Sequence, residues 1–282
     1  MSHSTTNPYE TNYQAEYYDL SMVPKITGDG PVYWDALRNM RDRRQGSICR
    51  VLDIGTGTGR VIRGLAVSLK QSGEDPANIE FIGLDLEQAM VDRAAAMPIE
   101  SLSNDQVFWI QGSAVDLDAA VPASHRPIDL LIFSFSSISH LHEPGQVGRF
   151  FREVAKVLRP RTGRAMVSIH DDTLLNNPNP QVILIQTDKP SETPSKAFPN
   201  VVYQMVDTGC DVDGNVHTYK WTVTVVERSN GQERVLETSN SEMKVRMWEA
   251  EELPAIATGQ GLQNVDRIRN EHETVYVFAV DE

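Results

Sequence analysis

The sequence predicts an α/β fold: a mostly parallel sheet with helices on both faces, carrying an antiparallel β insertion. Three observations predict it. From residue 48 onward, short apolar runs alternate with segments of helical periodicity. The first of these runs breaks into a glycine-rich turn that feeds directly into a helical pattern. After residue 170 the texture changes to a Pro- and Asn-rich stretch, then three strand-like runs joined by Asp-Gly and Asn-Gly turns. Alternation of β and α segments gives right-handed βαβ units and so a parallel sheet, whereas tight glycine turns give hairpins.

Each element follows from its own residues. ICRVLDI (48–54) is β-rich and almost wholly apolar at its end, as a strand buried on both faces should be. GRVIRGLAVSLK (59–70) carries apolar residues at helical spacing. IEFIGLDL (79–86) is the next strand and EQAMVDRAAAM (87–97) the next helix. QVFWIQG (106–112), IDLLIFSF (128–135) and RAMVSIH (164–170) are further strands, with a helix at QVGRFFREVAKVL (146–158). Residues 176–200 hold five prolines, which rules out a regular helix and suggests a lid or binding loop. VVYQMVD (201–207), VHTYKWTVTVVER (216–228) and VLETSNSEMKVRMW (235–248) read as a meander. A helix at 249–260, interrupted by Pro254, and strands near 263–269 and 274–280 return to the first style.

The chain of 282 residues accommodates one large α/β domain with an insertion. Its composition, 40% hydrophobic and 23% charged, is that of an ordinary globular protein. A net charge of −13 repels phosphate backbones, so no nucleic-acid partner is expected. The basic run Arg38, Arg41, Arg43, Arg44 reads as a solvated helix face. Cys49 and Cys210 make neither a disulfide framework nor a zinc pattern, and Cys49 reads as a small core residue. No apolar run suits a signal peptide or a membrane span, so a cytoplasmic protein with no membrane partner is expected.

Residues 51–60 read VLDIGTGTGR, a buried strand ending in an acidic residue, then a glycine bend, then a helix. The glycines leave room for a ligand against bare backbone, and the helix N-terminus offers unpaired N–H groups. The spacing is G-x-G-x-G, not the G-x-G-x-x-G of a dinucleotide site. Asp53 would obstruct a phosphate but suits an ammonium group. The next strand ends at Asp85, where a carboxylate can take both hydroxyls of a ribose. The third ends at Gly112, Ser113 and Ala114, which can meet an adenine edge. Taken singly, each of these residues also fits a plain turn or helix cap.

Together these motifs make the chain resemble a class I S-adenosylmethionine (SAM)-dependent methyltransferase from about residue 48 to its end. The similarity lies with the small-molecule branch that modifies amino sugars and other natural products. The resemblance implies a Rossmann-like seven-strand sheet, SAM as cofactor and S-adenosylhomocysteine as product. It puts Gly55, Thr56, Gly57 and Gly59 at the methionine moiety, Asp53 near its amino group and Asp85 on the ribose. It implies that Leu86 packs on the adenine, that Ser113 and Ala114 flank its edge, and that Ser134 follows the fourth strand at the methionine portion. Many relatives carry Asp where Ser113 stands, so here that contact carries no charge. Tyr9, Tyr13, Tyr17 and Tyr18 crowd the N-terminus. Spacing of four puts Tyr9, Tyr13 and Tyr17 on one helical face, either a packing stripe or a lid. Tyr18-Asp19-Leu20 resembles a segment that closes over SAM.

On the acceptor side, SSISHL (136–141) is similar to the same branch and places His140 near the transferred methyl, as base or acceptor-orienting group. The alternative is a histidine that caps the next helix. His142 and Glu143 make only a thin metal motif, and no metal is expected. His170, Asp171 and Asp172 follow the fifth strand and can steer a cationic acceptor or simply form a turn. The expected division is a helical lid segment at 1–46, the SAM-binding core at 47–175, the acceptor-side insertion at 176–248, and the last core elements at 249–282. The expected activity is methyl transfer to nitrogen or oxygen of a small molecule, in secondary metabolism. The alternative is a protein of this fold that binds SAM without transferring methyl.

Overall fold

The computed structural model describes residues 3–26, 28–176 and 190–280. In chain order the elements are β1 (His3–Thr5), α1 (Asn12–Ser21), α2 (Gly30–Arg44), β2 (Cys49–Ile54), α3 (Arg60–Ser72) and β3 (Ile79–Asp85). They continue with α4 (Gln88–Ala96), β4 (Val107–Gln111), α5 (Leu117–Ala120), β5 (Leu130–Phe133), α6 (Gln146–Val157), β6 (Arg164–His170) and β7 (Ser191–Pro194). The last are β8 (Val201–Asp213), β9 (Val216–Ser229), β10 (Gln232–Arg246), α7 (Glu252–Thr258), β11 (Leu262–Arg269) and β12 (Glu273–Val280).

Seven strands form one sheet in the order β11-β12-β6-β5-β2-β3-β4. The strands from β6 to β4 are mutually parallel, and β12 inserts antiparallel beside β6. Because β12 runs the other way, its first residue, Glu273, stands opposite His170, the last residue of β6. Both therefore reach the edge where β2 and β3 end. Helices α2 and α3 cover one face, burying Tyr33, Leu37 and Leu65 with Phe81 and Ile132 of the sheet. Helices α6 and α7 cover the other, where Phe150, Phe151 and Leu253 meet Phe133 and Phe278. Helix α3 shows the local logic. Val61, Ile62, Leu65, Ala66 and Leu69 recur at helical spacing and are buried, and Gly73 in the left-handed region ends the helix.

A second sheet, in the order β1-β10-β9-β8-β7, is built on the insertion. Its strands are longer than the apolar runs suggest, because the hairpins stay paired past the buried stretch. Two elements depart from the sequence reading. Ser191–Pro194, expected as loop, pairs antiparallel with β8, and Pro194 ends that edge strand. The N-terminus, expected as helix throughout, begins with β1, which pairs in parallel with β10. The rest of the anticipated lid loop, 177–189, lies outside the described residues. Helix α7 is shorter than the expected 249–260, and Pro254 falls in its first turn, where a missing N–H breaks no helical bond.

The four N-terminal tyrosines do not share a face. The Thr11 side chain caps α1 by accepting from the Gln14 amide, so Tyr9 lies outside the helix. Tyr13 and Tyr17 pack on Phe198 and Tyr203 of the second sheet's side. Tyr18 turns the other way, towards the glycine bend. Cys49 is buried and Cys210 exposed. Arg38 and Arg41 both pair with Glu74, and Arg44 pairs with Asp129. No helix among the described residues is long and apolar enough to cross a membrane.

Candidate functional site

Strand β2 delivers Asp53 to the sheet edge, where the residue is fully buried. Thr56 donates to its Oδ2 at 2.6 Å, while Oδ1 finds no hydrogen-bond partner among the described residues. Burial raises the Asp53 carboxyl to about 7, against the hydrogen bond from Thr56 and the charge of Arg60. An orphaned, desolvated carboxylate oxygen is suited to an ammonium group.

The glycine bend then crosses the end of β3. The Gly57 amide donates to Asp85 Oδ2 at 2.8 Å, and the Glu87 amide to Oδ1 at 3.0 Å. Burial raises the Asp85 carboxyl, and these amide bonds oppose the rise. Gly59 has φ of +85°, and a Cβ there would come within 2.5 Å of the Trp109 ring, so only glycine fits. The same indole closes on Gly83 of β3, which plugs the space beneath the bend.

Beside them, β4 ends in the Ser113 turn. The Gly112 amide donates to the Asp85 carbonyl at 2.8 Å, tying the two strand ends together. Ser113 Oγ accepts from the Val115 amide, and Ala114 packs against the core. Leu86 is 62% exposed at the rim next to Asp85, an apolar surface open to a flat ligand.

Two residues that the sequence reading passed over join the Asp53 end of the crevice. Arg60, the first residue of α3, makes a bidentate pair with buried Asp29 at 2.9 and 2.7 Å. Its Nη2 also donates to Ser134 Oγ at 3.2 Å. The signal was present: a cation at a helix N-terminus opposes the helix dipole and asks for an anionic partner or ligand. Nothing in the sequence points to Asp29.

Tyr18 lies over the bend, 3.5 Å from where a Gly57 Cβ would stand. Burial pushes its phenol up to about 12, with Arg60 opposing and Asp85, Asp19 and Asp53 adding to the rise, so it stays neutral. Asp19 fastens this segment to the core, accepting from Thr58 Oγ1 and pairing with Arg93. Asn7 donates to Glu87 at 2.9 Å. Glu16, fully buried on the far side of α1, accepts from Ser195 Oγ (2.6 Å), the Lys196 and Ala197 amides (2.9 and 2.6 Å) and Tyr203 Oη (2.6 Å). These four bonds outweigh its burial and hold its carboxyl below the usual range.

The segment expected to face the acceptor begins where β5 ends. Phe135 and Ser136 both have φ of +52°, a strained pair for non-glycine residues. Ser136 holds it, donating its amide to Ser168 Oγ at 3.3 Å and accepting from the His170 amide. The helical turn Ser137–His140 follows, and Trp248 Nε1 donates to Ser139 Oγ at 2.8 Å. His140 is exposed to solvent on one side and flanked on the other by Tyr9, with ring centres 6.4 Å apart, and by the Lys244 main chain. That crowding desolvates the imidazole and lowers its basicity, despite the Lys244 hydrogen bond. Tyr9 in turn stands 6.0 Å from Tyr18, so rings run from the glycine bend to His140.

His142 donates from Nδ1 to the His140 carbonyl at 2.9 Å, and its Nε2 lies 3.2 Å from Glu143. Among the described residues no three His, Cys, Asp or Glu side chains gather as metal ligands. Asp171 is engaged by Arg269 through two bonds, at 2.6 and 2.5 Å, which lowers its carboxyl. His170 accepts from the Asp172 amide at 3.3 Å. These serve the turn after β6.

Residues 51–161 match the family described as a methyltransferase domain. Over 249 residues, 81% of this chain and 81% of the other, the chain is 32% identical to N-methyltransferase FrzE of Cladobotryum sp. Among solved structures, an S-adenosylmethionine-dependent methyltransferase from Clostridium acetobutylicum superposes with a TM-score of 0.63 at 12% identity, covering 96% of this chain and 99% of that one. SAM-bound CalS10, an amino pentose methyltransferase from Micromonospora echinaspora, gives 0.57 at 16% identity, covering 96% and 98%. The chain belongs to the SAM-dependent methyltransferases, and SAM is its cofactor.

Proposed function

We propose that this methyltransferase acts on an amine nitrogen of a small molecule, of the kind met in secondary metabolism. The observation that carries the reading is the placement of His140, a weakly basic imidazole joined through Tyr9 and Tyr18 to the glycine bend. The name of the relative, an N-methyltransferase, favours nitrogen over oxygen.

Bound SAM supplies an electrophilic methyl group and leaves as S-adenosylhomocysteine. The protein binds, orients and moves one proton. In this reading Asp53 Oδ1 takes the cofactor's ammonium group, Arg60 its carboxylate, and Asp85 the ribose hydroxyls. Gly55, Thr56, Gly57 and Gly59 give the methionine moiety bare backbone, Ser134 holds Arg60 in line, and Leu86, Ser113 and Ala114 border the adenine. Tyr18 and Tyr9 exclude water from the reacting centre. A neutral amine held in line with the methyl group would receive it at its lone pair. His140 takes a proton from the incoming ammonium, freeing its lone pair, and passes that proton to solvent. Residues 1–46 act as lid, 47–175 with 249–282 as cofactor core, and 176–248 as acceptor side.

The test pairs calorimetric titration of SAM with detection of S-adenosylhomocysteine across a panel of primary amines and phenols. Release with amines alone supports the reading. Release with phenols alone moves the acceptor atom to oxygen, and SAM binding without release from any acceptor overturns methyl transfer.

A further inference from the structure

The second sheet has an inner face that α1 covers only in part. Val223 and Val225 of β9 are buried there beneath Tyr13, Tyr17 and Leu20. Side chains alternate along a strand, so Trp221, Tyr219 and His217 continue the same face. Trp221 still packs at the margin of that cluster, whereas Tyr219 and His217 pass beyond it and stay partly open. Register places Met243 of β10 and Cys210 of β8 directly opposite Tyr219, and opposed residues share a face. That this face looks towards the core is fixed twice. Tyr9 Oη contacts Met243 Sδ at 3.4 Å, and Tyr219 feels the Asp172 carboxylate beyond the end of β6. One residue past Met243, the Lys244 main chain meets His140.

Among the described residues, a patch that stays partly open therefore adjoins the proposed base. From Trp221 to His217 it runs four residues, ~13 Å at 3.3 Å per residue, the length of one ring and a short side chain. Its centre is an aromatic ring between two sulfur-bearing side chains, Met243 and Cys210. Sulfur accepts hydrogen bonds weakly but packs well against ring edges. Tyr219 Oη and His217 could meet only some of a sugar's hydroxyls, and the sulfur-flanked remainder would go short of partners, which is costly once water is excluded. A flat apolar ring would not.

The geometry points to Tyr219 and Met243 as the seat of the acceptor's body, and to an amine bearing an aromatic ring as the acceptor class. The inference rests on the N-methyl transfer reading above and adds to it the part of the substrate that does not react. Tyr219 and Met243 recognise the ring, and the side chain that carries the amine extends past Tyr9 towards His140.

The test titrates 2-phenylethylamine and D-glucosamine calorimetrically into full-length protein saturated with S-adenosylhomocysteine. It uses the parent chain, Tyr219→Ala and Tyr219→Phe, each first checked for S-adenosylhomocysteine affinity. The expected result is binding of 2-phenylethylamine about tenfold tighter than glucosamine, about tenfold loss in Tyr219→Ala, and retention in Tyr219→Phe. No binding of 2-phenylethylamine to the parent, equal binding by Tyr219→Ala, or a preference for glucosamine overturns the inference. Methyl transfer is followed in parallel. Tyr219-dependent binding without release of S-adenosylhomocysteine from SAM supports this site while overturning N-methyl transfer. Full-rate methylation of glucosamine by Tyr219→Ala does the reverse.

Discussion

The Gly57 amide and the Asp85 carboxylate are joined at 2.8 Å, so the glycine bend and the end of β3 form one piece. In the proposed reading Asp85→Ala removes the ribose contact, and it also leaves the part-buried Gly57 N–H without its partner. Those two losses together predict a fall in SAM affinity of ~100-fold. Asp85→Asn, which keeps an acceptor oxygen, should lose less. Calorimetry with SAM checks both, and unchanged affinity in the alanine variant removes Asp85 from the site.

Asp53 carries the opposite signature, a group that costs the empty protein stability. Its carboxyl titrates near 7 in the folded chain against an ordinary value of 3.8. Between those values the folded chain holds more protons than the unfolded one, so this group's contribution falls as pH rises through the window. Asp53→Asn should therefore raise the melting temperature at pH 8 and leave it little changed at pH 4, with an upper limit of about 4 kcal/mol. The same variant should bind SAM weakly, since the ammonium loses its partner. Thermal melts at the two pH values and a SAM titration decide it; a less stable Asp53→Asn at pH 8 contradicts the account.

His140 is held below the ordinary histidine value by desolvation. The ratio of parent to His140→Ala kcat/KM, in which ionisation of the amine itself cancels, should fall below pH ~6.5 and hold steady through neutrality. His140→Ala should lower kcat by about 100-fold and leave SAM affinity alone. Retained turnover would reduce His140 to a structural residue.

Glu16 fastens α1 to the second sheet. Its carboxyl lies lower in the folded chain than its ordinary 4.5, so the stabilisation is complete above 4.5 and is lost as pH falls through the folded value. Glu16→Ala strands the buried Tyr203 hydroxyl and takes the acceptor from the more open donors of Ser195, Lys196 and Ala197, and should destabilise by about 2 kcal/mol. Hydrogen exchange should quicken in Asn12–Ser21 ahead of the core sheet. Uniform exchange across both would show that α1 is not separately anchored.

Much of this architecture could be read from the sequence because its determinants are local. A buried strand, an acidic end and a glycine bend stand within ten residues at 51–60, and the same grammar marks Asp85. What escaped notice depends on residues far apart in the chain. Asp29 becomes part of the site only through Arg60, and Trp109 matters only because it fills the space beside Gly59 and Gly83. The arrival of Glu273 at the same edge as His170 went unforeseen for a topological reason: on an antiparallel strand that edge is met by the first residue, not the last. The tyrosine spacing misled because Thr11 starts the helix after Tyr9, and periodicity carries no meaning across a cap.

The donors that hold Glu16 lie some 180 residues downstream, in the connection between β7 and β8. Helix α1 and the inserted sheet are therefore one packing unit, although most of the cofactor core separates them along the chain. Any chimera that grafts another family member's insertion onto this core must transplant the N-terminal segment too. Otherwise a carboxylate is sealed inside the protein with no donors to meet it.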